Sequence, residues 1–512
     1  MAMQRHINST SAACVGILIA ILGGCDSACA QQGLNNLWMG GFDSEGPPPF
    51  GGIDFNFITG ELDISYEQRD IDFYRTNTNI TTAAGELLFS TNGAFVANAL
   101  GDTMVNGSGL NPSWYTSQYP HGLLIPQGVL IIPKPEDPDI HYLLHVPIDV
   151  WATTSPLQLY YSVIDMSLES GLGAVVAKNQ ALFAEELNGG KLSAVRHANG
   201  RDWWVFTHKL NTDLYYRMLV TPTGLQVDGT QAVGPIHPPD AGQVCFSPQG
   251  DKFAYFYESL EVLPFDRCTG LFDEPILVTG EQLEYGRGVA FSPNGRFLYV
   301  STVLDVYQFD TEADDIAASE VHIAQWDSTY SPFPPFAALF SNMQLAPDGK
   351  IYIGTGNSTQ VLHVIHNPDE PGLACNMEQH GIDLERYFSN SLPNHPNYHL
   401  GPVDGSVCDS LGINVGIPTL SPEEGLGVRA YPNPSSGQFT LGYPAQPTAG
   451  VLEVRDLQGR LVHRAYLPPW SQVHRVELPG AAAGLSAAQA GMYHCTLRWG
   501  VHSANTRIII EP

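Results

Sequence analysis

The chain has 512 residues, a hydrophobic share of 43% and a formal net charge of -29. That length exceeds what one compact core holds, and 51 glycines with 38 prolines suit a turn-rich all-β protein. A surface this acidic repels nucleic acid and anionic membranes alike, so neither is an expected partner.

Residues 1–30 read as a secretory signal peptide rather than as fold. Arg5 and His6 give a short basic start, Ala12 to Leu22 an apolar run, and Ala28-Cys29-Ala30 before Gln31 a small-residue cleavage site between Ala30 and Gln31. Leu22-Gly23-Gly24-Cys25 offers a rival site of lipoprotein type, with Cys25 as the lipidated residue. The apolar run is too short to span a bilayer stably, and no later stretch is a candidate, so the mature chain is expected to carry no membrane-spanning segment.

Downstream the chain reads as hairpins. Glu86 to Val96 is one with a degenerate turn, Gly128–Pro133 with Ile140–Val146 another, and Lys191 to His208 a third; Leu157–Ser167 and Leu214–Val220 read as outer strands. Three close copies follow. Phe246-Ser247-Pro248-Gln249-Gly250, Phe291-Ser292-Pro293-Asn294-Gly295 and Leu345-Ala346-Pro347-Asp348-Gly349 each sit between short aromatic and β-branched runs. Proline presets the second position of a type I turn and glycine suits its exit, so each copy is a β-hairpin whose strands are buried on both faces. The turn glycines Gly250, Gly295 and Gly349 recur at 45 and 54 residues, the period of a β-propeller blade. We expect a propeller over residues 31–408 with seven blades, its ring completed by a strand from one chain end.

Trp38-Met39-Gly40 with Gly52 to Asn56, Tyr161 to Met166, His197 to Trp204, Gln344 to Tyr352 and Leu392-Pro393-Asn394-His395-Pro396-Asn397-Tyr398 occur in this order. Together they resemble the amino-terminal propeller of large secreted Bacteroidetes surface proteins, some of them gliding-motility-associated. Two departures stand out: Gly41 to Phe50 is proline-rich and irregular, and Ala290 stands where such proteins carry an acidic residue.

Residues 409–428 are rich in Gly, Pro and Ser without periodicity and read as a linker. Residues 429–512 then carry six short strand-like runs separated by turn signals, the pattern of a small Ig-like β-sandwich. Seven arginines face four acidic residues there, so the acidity of the chain belongs to the propeller. Tyr431-Pro432-Asn433-Pro434 with Gly437, then Asp456 and Gly459 in Val454 to Arg460, then Gly491 and Tyr493, resemble the carboxy-terminal (type A) sorting domain of type IX secretion cargo. The resemblance implies passage through the inner membrane by the signal peptide and through the outer membrane by this domain, which is usually removed and replaced by a surface anchor. The type IX machinery is thus the implied partner, and the destination is the medium or the outer-membrane surface.

In an oxidising compartment Cys245 with Cys268, and Cys375 with Cys408, are the candidate disulfides, while Cys495 reads as a small buried core residue. The common metalloprotease, hydrolase and phosphate-loop signatures are missing, so neither catalytic residues nor a metal or cofactor is assigned. His363 and His366 fall on opposite faces of a strand, His395 and His399 lack a third ligand, and Asp310, Glu312, Asp314 and Asp315 read as a solvated turn. The sequence thus favours a non-catalytic binding or structural module for a surface glycan or protein. The alternative is a lactonase-like or glycan-active propeller using Asp240, Glu284 and His237 at the channel mouth.

Overall fold

The computed structural model describes residues 34–119, 121–150, 154–240, 242–332, 335–409, 428–431, 435, 438–443, 449–456, 460–468, 473–478, 491–499 and 502–510. The expected leader with Ala30 and Gln31, most of the expected linker, and Pro432, Asn433, Pro434, Gly437 and Gly459 lie outside them. The chain divides into two compact units, at 413 and 414.

The first unit is a β-propeller. Its described residues form seven antiparallel meanders in chain order. The first, Leu37–Phe42 with Gly51–Asn56 and Asp63–Glu67, has three strands. The other six begin at the innermost strands Thr78–Thr81, Val129–Pro133, Ser193–Arg196, Gln243–Phe246, Gly288–Phe291 and Met343–Leu345. The second and third meanders share one eight-stranded sheet only because Ala174 pairs in parallel with Val105 at their outer strands.

The repeated hairpins form as their turn chemistry dictates. Gly250, Gly295 and Gly349 donate their N–H to Ser247 O, Ser292 O and Ala346 O at 2.8, 2.9 and 3.0 Å, and all three have positive φ, +72, +74 and +80°. A residue with a β-carbon is disfavoured there. The strands Gly288–Phe291 and Phe297–Ser301 are buried throughout, because a blade is covered on both faces by its neighbours. Between the fourth and fifth blades Val195, Trp204, Phe206, Val244, Phe253 and Phe272 make one such layer; between the fifth and sixth, Phe256, Val262, Val289, Phe291 and Leu298 make the next.

Two expectations need correction. Each blade is built from one contiguous stretch, and among the described residues no strand from the far end joins the first blade. Instead Asn77 Nδ2 donates both to Met39 O of the first blade (2.5 Å) and to Ser391 O of the segment that follows the last (2.6 Å). Closure needs hydrogen-bond donors at that seam: Asn77 supplies two, and Tyr387 N–H to Pro49 O (2.8 Å) and Arg386 Nη1 to Phe50 O (2.9 Å) tie the last blade to the first. The second correction is the disulfide: Cys268 bonds to Cys408, with Cα atoms 5.6 Å apart, while Cys245 and Cys375 are free. Cys245 lies on an innermost strand and Cys268 in the turn after the third strand of the same blade, too far outward to meet. Cys375 is buried in the core shared by the sixth and seventh blades.

The second unit has a three-stranded sheet, Arg429–Tyr431, Gln438–Gly442 and Val473–Glu477, and a four-stranded one ordered Leu461–Leu467, Gly450–Asp456, Gly491–Trp499, His502–Ile510. Tyr493, Cys495, Leu497 and Trp499 alternate inward and meet Phe439, Leu441, Leu452 and Val454 in one core, the arrangement of a β-sandwich. Cys495 is fully buried there, as expected.

The Cys268–Cys408 bridge closes a separation of 140 residues, for which chain entropy predicts about 5 kcal/mol of stabilisation. Cys408→Ser should lower the denaturant midpoint of the propeller by a corresponding amount, and thiol labelling of the native protein should spare Cys268 and Cys408. Labelling of both would contradict the pairing.

Candidate functional site

The innermost strands all start on one face of the ring and reach their hairpin turns on the other. A cavity of about 540 Å³ opens among the turns. It is walled by the innermost strands of the third to seventh blades and by Asn394–Gly401, the chain that returns after the last blade. Its volume falls within the range of small-ligand sites. Gln127, Gln243, Gln344, Asn394, Asn397 and His399 line it alongside Val244, Phe246, Phe291 and Leu345. Among the described lining residues Asp348 alone is acidic, and its carboxylate accepts from Tyr352 Oη at 2.7 Å.

Side-chain amides cross the channel beneath this cavity. Gln127, just before the third blade's innermost strand, donates to Val244 O (2.8 Å) and accepts from Val244 N (3.0 Å) in the fifth blade. Gln243 of the fifth blade donates to Met343 O (2.6 Å) of the seventh and accepts from Met343 N (2.9 Å) and from Val289 N (3.2 Å) of the sixth. Asn394 Nδ2 donates to Val129 O (2.8 Å) and Leu192 O (3.0 Å), while its backbone N–H reaches Asn77 O at 2.9 Å. Asn390 Nδ2 donates to Ser341 Oγ at 3.0 Å. An amide carries a donor and an acceptor on one rigid fork, so it can stand in for a missing strand neighbour. Sequence reasoning missed these residues. Their signal was an Asn or Gln at or just before three of the innermost strands, at 77, 127 and 243.

Asp240 and His237 lie away from the cavity. Asp240 is buried between the fourth and fifth blades, 2.6 Å from Lys191 Nζ, and accepts from Asn188 Nδ2 (2.8 Å) and the Tyr255 hydroxyl. His237 stacks on Tyr255 at 3.9 Å with Glu261 3.3 Å away, and burial raises the Glu261 pKa. Glu284 is exposed and does not line the cavity. The three residues do not converge: two make a buried inter-blade contact and one faces solvent. This corrects the expectation that they reach the channel mouth.

His145 resembles a catalytic base, with Nδ1 2.7 Å from Asn111 Oδ1 and Nε2 2.9 Å from Ser162 Oγ. All three residues are fully buried, and Ser162 Oγ also accepts from Asn179 N, so no substrate carbonyl can approach. The set ties strands together. His395 Nε2 donates to Asn79 O at 2.8 Å, His363 Nε2 donates to Leu339 O, and His366 pairs with Glu378. Asp310 is held by Arg296 at 2.7 Å, which lowers its pKa, as suits a surface turn. Among the described residues no group of three His, Cys, Asp or Glu side chains is placed to hold a metal, and no helix is long and apolar enough to cross a membrane.

In the second unit Asp456 closes the turn of the Val454 to Arg460 motif. Its Oδ1 accepts from Arg460 N and its Oδ2 from Arg460 Nε, each at 2.9 Å. Asp456 is paired in register with Tyr493 on the adjacent strand, so two of the sorting motifs meet. Gly491 opens that strand with a φ of +157°.

Residues 429–511 match the family described as the secretion system C-terminal sorting domain. This portion of the chain is therefore a type IX sorting domain, and the protein is cargo exported to the cell surface or the medium. No curated protein matches the chain. Among solved structures, a protein of Bacteroides uniformis described as a candidate 6-phosphogluconolactonase is 15% identical, covering 70% of this chain and 98% of its own, with a TM-score of 0.42. A similarly described protein of Bacteroides fragilis is 14% identical over 71% of this chain and 98% of its own, TM-score 0.43. A Lactobacillus plantarum protein is 12% identical over 87% and 100%, TM-score 0.36. Likenesses of this size carry no argument about activity.

Two outcomes follow from this geometry. Gln243→Leu orphans Met343 O, Met343 N–H and Val289 N–H, and should cost at least about 3 kcal/mol in denaturant unfolding; a loss below ~1 kcal/mol would mean the bonds are dispensable. Burial also holds His141, His363 and His395 neutral with pKa values of about 4, His145 of about 3 and His208 of about 2. Because the unfolded chain binds protons at these sites near pH 6.5 and the folded chain does not, their stabilisation is complete above that pH and lost as pH falls through it. At pH 5 each site removes up to about 2 kcal/mol, so the melting temperature should fall between pH 7 and pH 5 despite the smaller net negative charge. A melting temperature that rises over that interval would contradict this.

Proposed function

We propose that the propeller is a non-catalytic binding module, displayed by type IX secretion on the surface of a Bacteroidetes bacterium, which seats an uncharged polar segment of a surface glycan or protein in the turn-face cavity. The observation that carries this reading is the composition of the cavity wall: amides, hydroxyls, imidazoles and apolar side chains around a single carboxylate. Glycoside hydrolysis by the common route needs two carboxyl groups facing one another, and metal-assisted lactone opening needs several converging ligands. A wall of amide donors and acceptors with apolar patches suits recognition of hydroxyl-bearing chains by hydrogen bonding and stacking. The amide bar below gives the cavity a fixed floor and therefore a preorganised shape, which reduces the ordering cost of binding.

Two experiments test the reading. A glycan array and surface-protein pull-down with the secreted protein should yield a ligand whose capture is weakened at least about tenfold by Asn397→Ala, with no turnover of ester, lactone or glycosidic substrates. Hydrolysis abolished by Asp348→Asn would overturn it in favour of an enzyme. Deleting Arg429–Pro512 should retain a folded propeller in the periplasm, since the two units have separate cores. Normal surface display of the truncated chain would contradict the export route.

A further inference from the structure

The opposite face of the channel, where the innermost strands start, has different chemistry. A small cavity of about 20 Å³ lies there, lined by Arg75, Gln127, Gln243, Asn342, Gln344 and Asn390 among others. Arg287 stands beside it: it directly precedes the innermost strand Gly288–Phe291, and its carbonyl accepts from Asn342 Nδ2 at 3.4 Å. Both arginines are half-buried, and among the described residues neither forms an ion pair. That is unusual company for a chain with 52 acidic residues against 23 basic ones. Elsewhere its enclosed cations have partners: Lys191 pairs with Asp240 and Arg69 with Asp54, while Arg267 donates to the carbonyls of Arg196, His197 and Gly401.

The backbone around both arginines is pinned. Thr76, next to Arg75, donates through Oγ1 to Ile125 O at 2.6 Å and through N to Leu123 O at 3.1 Å. Arg287 N donates to Ser301 O at 2.8 Å. Gln344, whose side-chain amide has no partner among the described residues, lines this cavity and the turn-face cavity alike. The positions are thus fixed while the donors remain unused. Burial first, and the nearby charge of Arg287 second, lower the Arg75 pKa. Such an arrangement costs stability unless something anionic occupies it.

We propose that this face of the channel is an oxyanion site, in which the Arg75 and Arg287 guanidinium groups and the Gln344 amide hold the carboxylate of a ligand resting against the propeller. A guanidinium fork matches a planar carboxylate in two parallel hydrogen bonds, and the cavity admits a group of that size while excluding a whole sugar ring. The site is separate from the turn-face cavity, with the amide bar between them, so either can exist without the other. A free small carboxylate and the uronate of an acidic glycan share this chemistry.

The test uses the full secreted chain, titrated by calorimetry and by thermal melting with sodium acetate, sodium galacturonate and sodium sulfate against sodium chloride at equal ionic strength. Acetate should raise the melting temperature above the chloride control, and galacturonate should do so at lower concentration if the natural source is an acidic glycan. Equal potency of the two assigns the site to free carboxylates, and a sulfate response above both would reject the carboxylate assignment. Arg75→Gln and, separately, Arg287→Gln should weaken acetate binding at least about tenfold while leaving the anion-free melting temperature equal or higher, because each removes an uncompensated charge. Arg296→Gln, which alters an exposed arginine paired with Asp310, should leave the response unchanged. An acetate response no larger than that of chloride, or one that persists in both variants, would overturn the proposal.

Discussion

Seven blades set around an axis need something to fix each against the next near that axis, and here side-chain amides do it. No backbone ladder joins the innermost strands of neighbouring blades among the described residues. Asn77 links the first blade to the second and to the returning chain, Asn394 links the second to the third and fourth, Gln127 the third to the fifth, and Gln243 the fifth to the sixth and seventh. Each bond is worth about 1 kcal/mol net, but its loss leaves a buried backbone group unsatisfied, which costs more. The geometry of both channel mouths depends on this bar, because it positions the strands that wall one and the strand starts that line the other.

The electrostatics follow the same division. The acidic surplus lies on the solvated exterior of the propeller, while buried ions in the blades are satisfied by a counter-charge or by carbonyls, as Lys191 is by Asp240 among Asn188 and Tyr255 and Arg267 by the carbonyls of Arg196, His197 and Gly401. The buried histidines His141, His145, His208 and His363 are held neutral by burial, and His145 serves as a hydrogen-bonding spacer between Asn111 and Ser162. A protein exported to the cell surface or the medium benefits from such rigidity. The Cys268–Cys408 bridge adds to it by fastening the end of the propeller to its fifth blade.

Much of the fold was legible because it is written in local chemistry. The Ser-Pro-x-Gly turns and their flanking aromatic strands specify hairpins without reference to the rest of the chain, and their period specifies blades. The sorting domain was equally legible, its strands alternating cleanly and its motifs lying in order at residues 429–511. Closure of the ring was not, since it rests on distant contacts such as that of Asn77 with a segment 314 residues away, and nothing local marks an asparagine as a seam. The disulfide was not legible for a related reason: nearness in sequence favours other pairs, whereas Cys268 and Cys408 are 140 residues apart. Asp240 misled because a carboxylate just before an innermost strand points to the channel only if no buried lysine claims it, and Lys191 does.

The amide bar is the claim on which the shape of both cavities rests, and native-state hydrogen exchange tests it directly. The N–H groups of Val244, Met343 and Val289 have side-chain rather than strand acceptors in Gln127 and Gln243. If the bar holds, they exchange only with global unfolding of the propeller, as slowly as the N–H of Tyr299 in the middle of a buried strand. Exchange of these three groups at the rate of exposed rim turns, with Tyr299 still protected, would show an open channel and contradict the account.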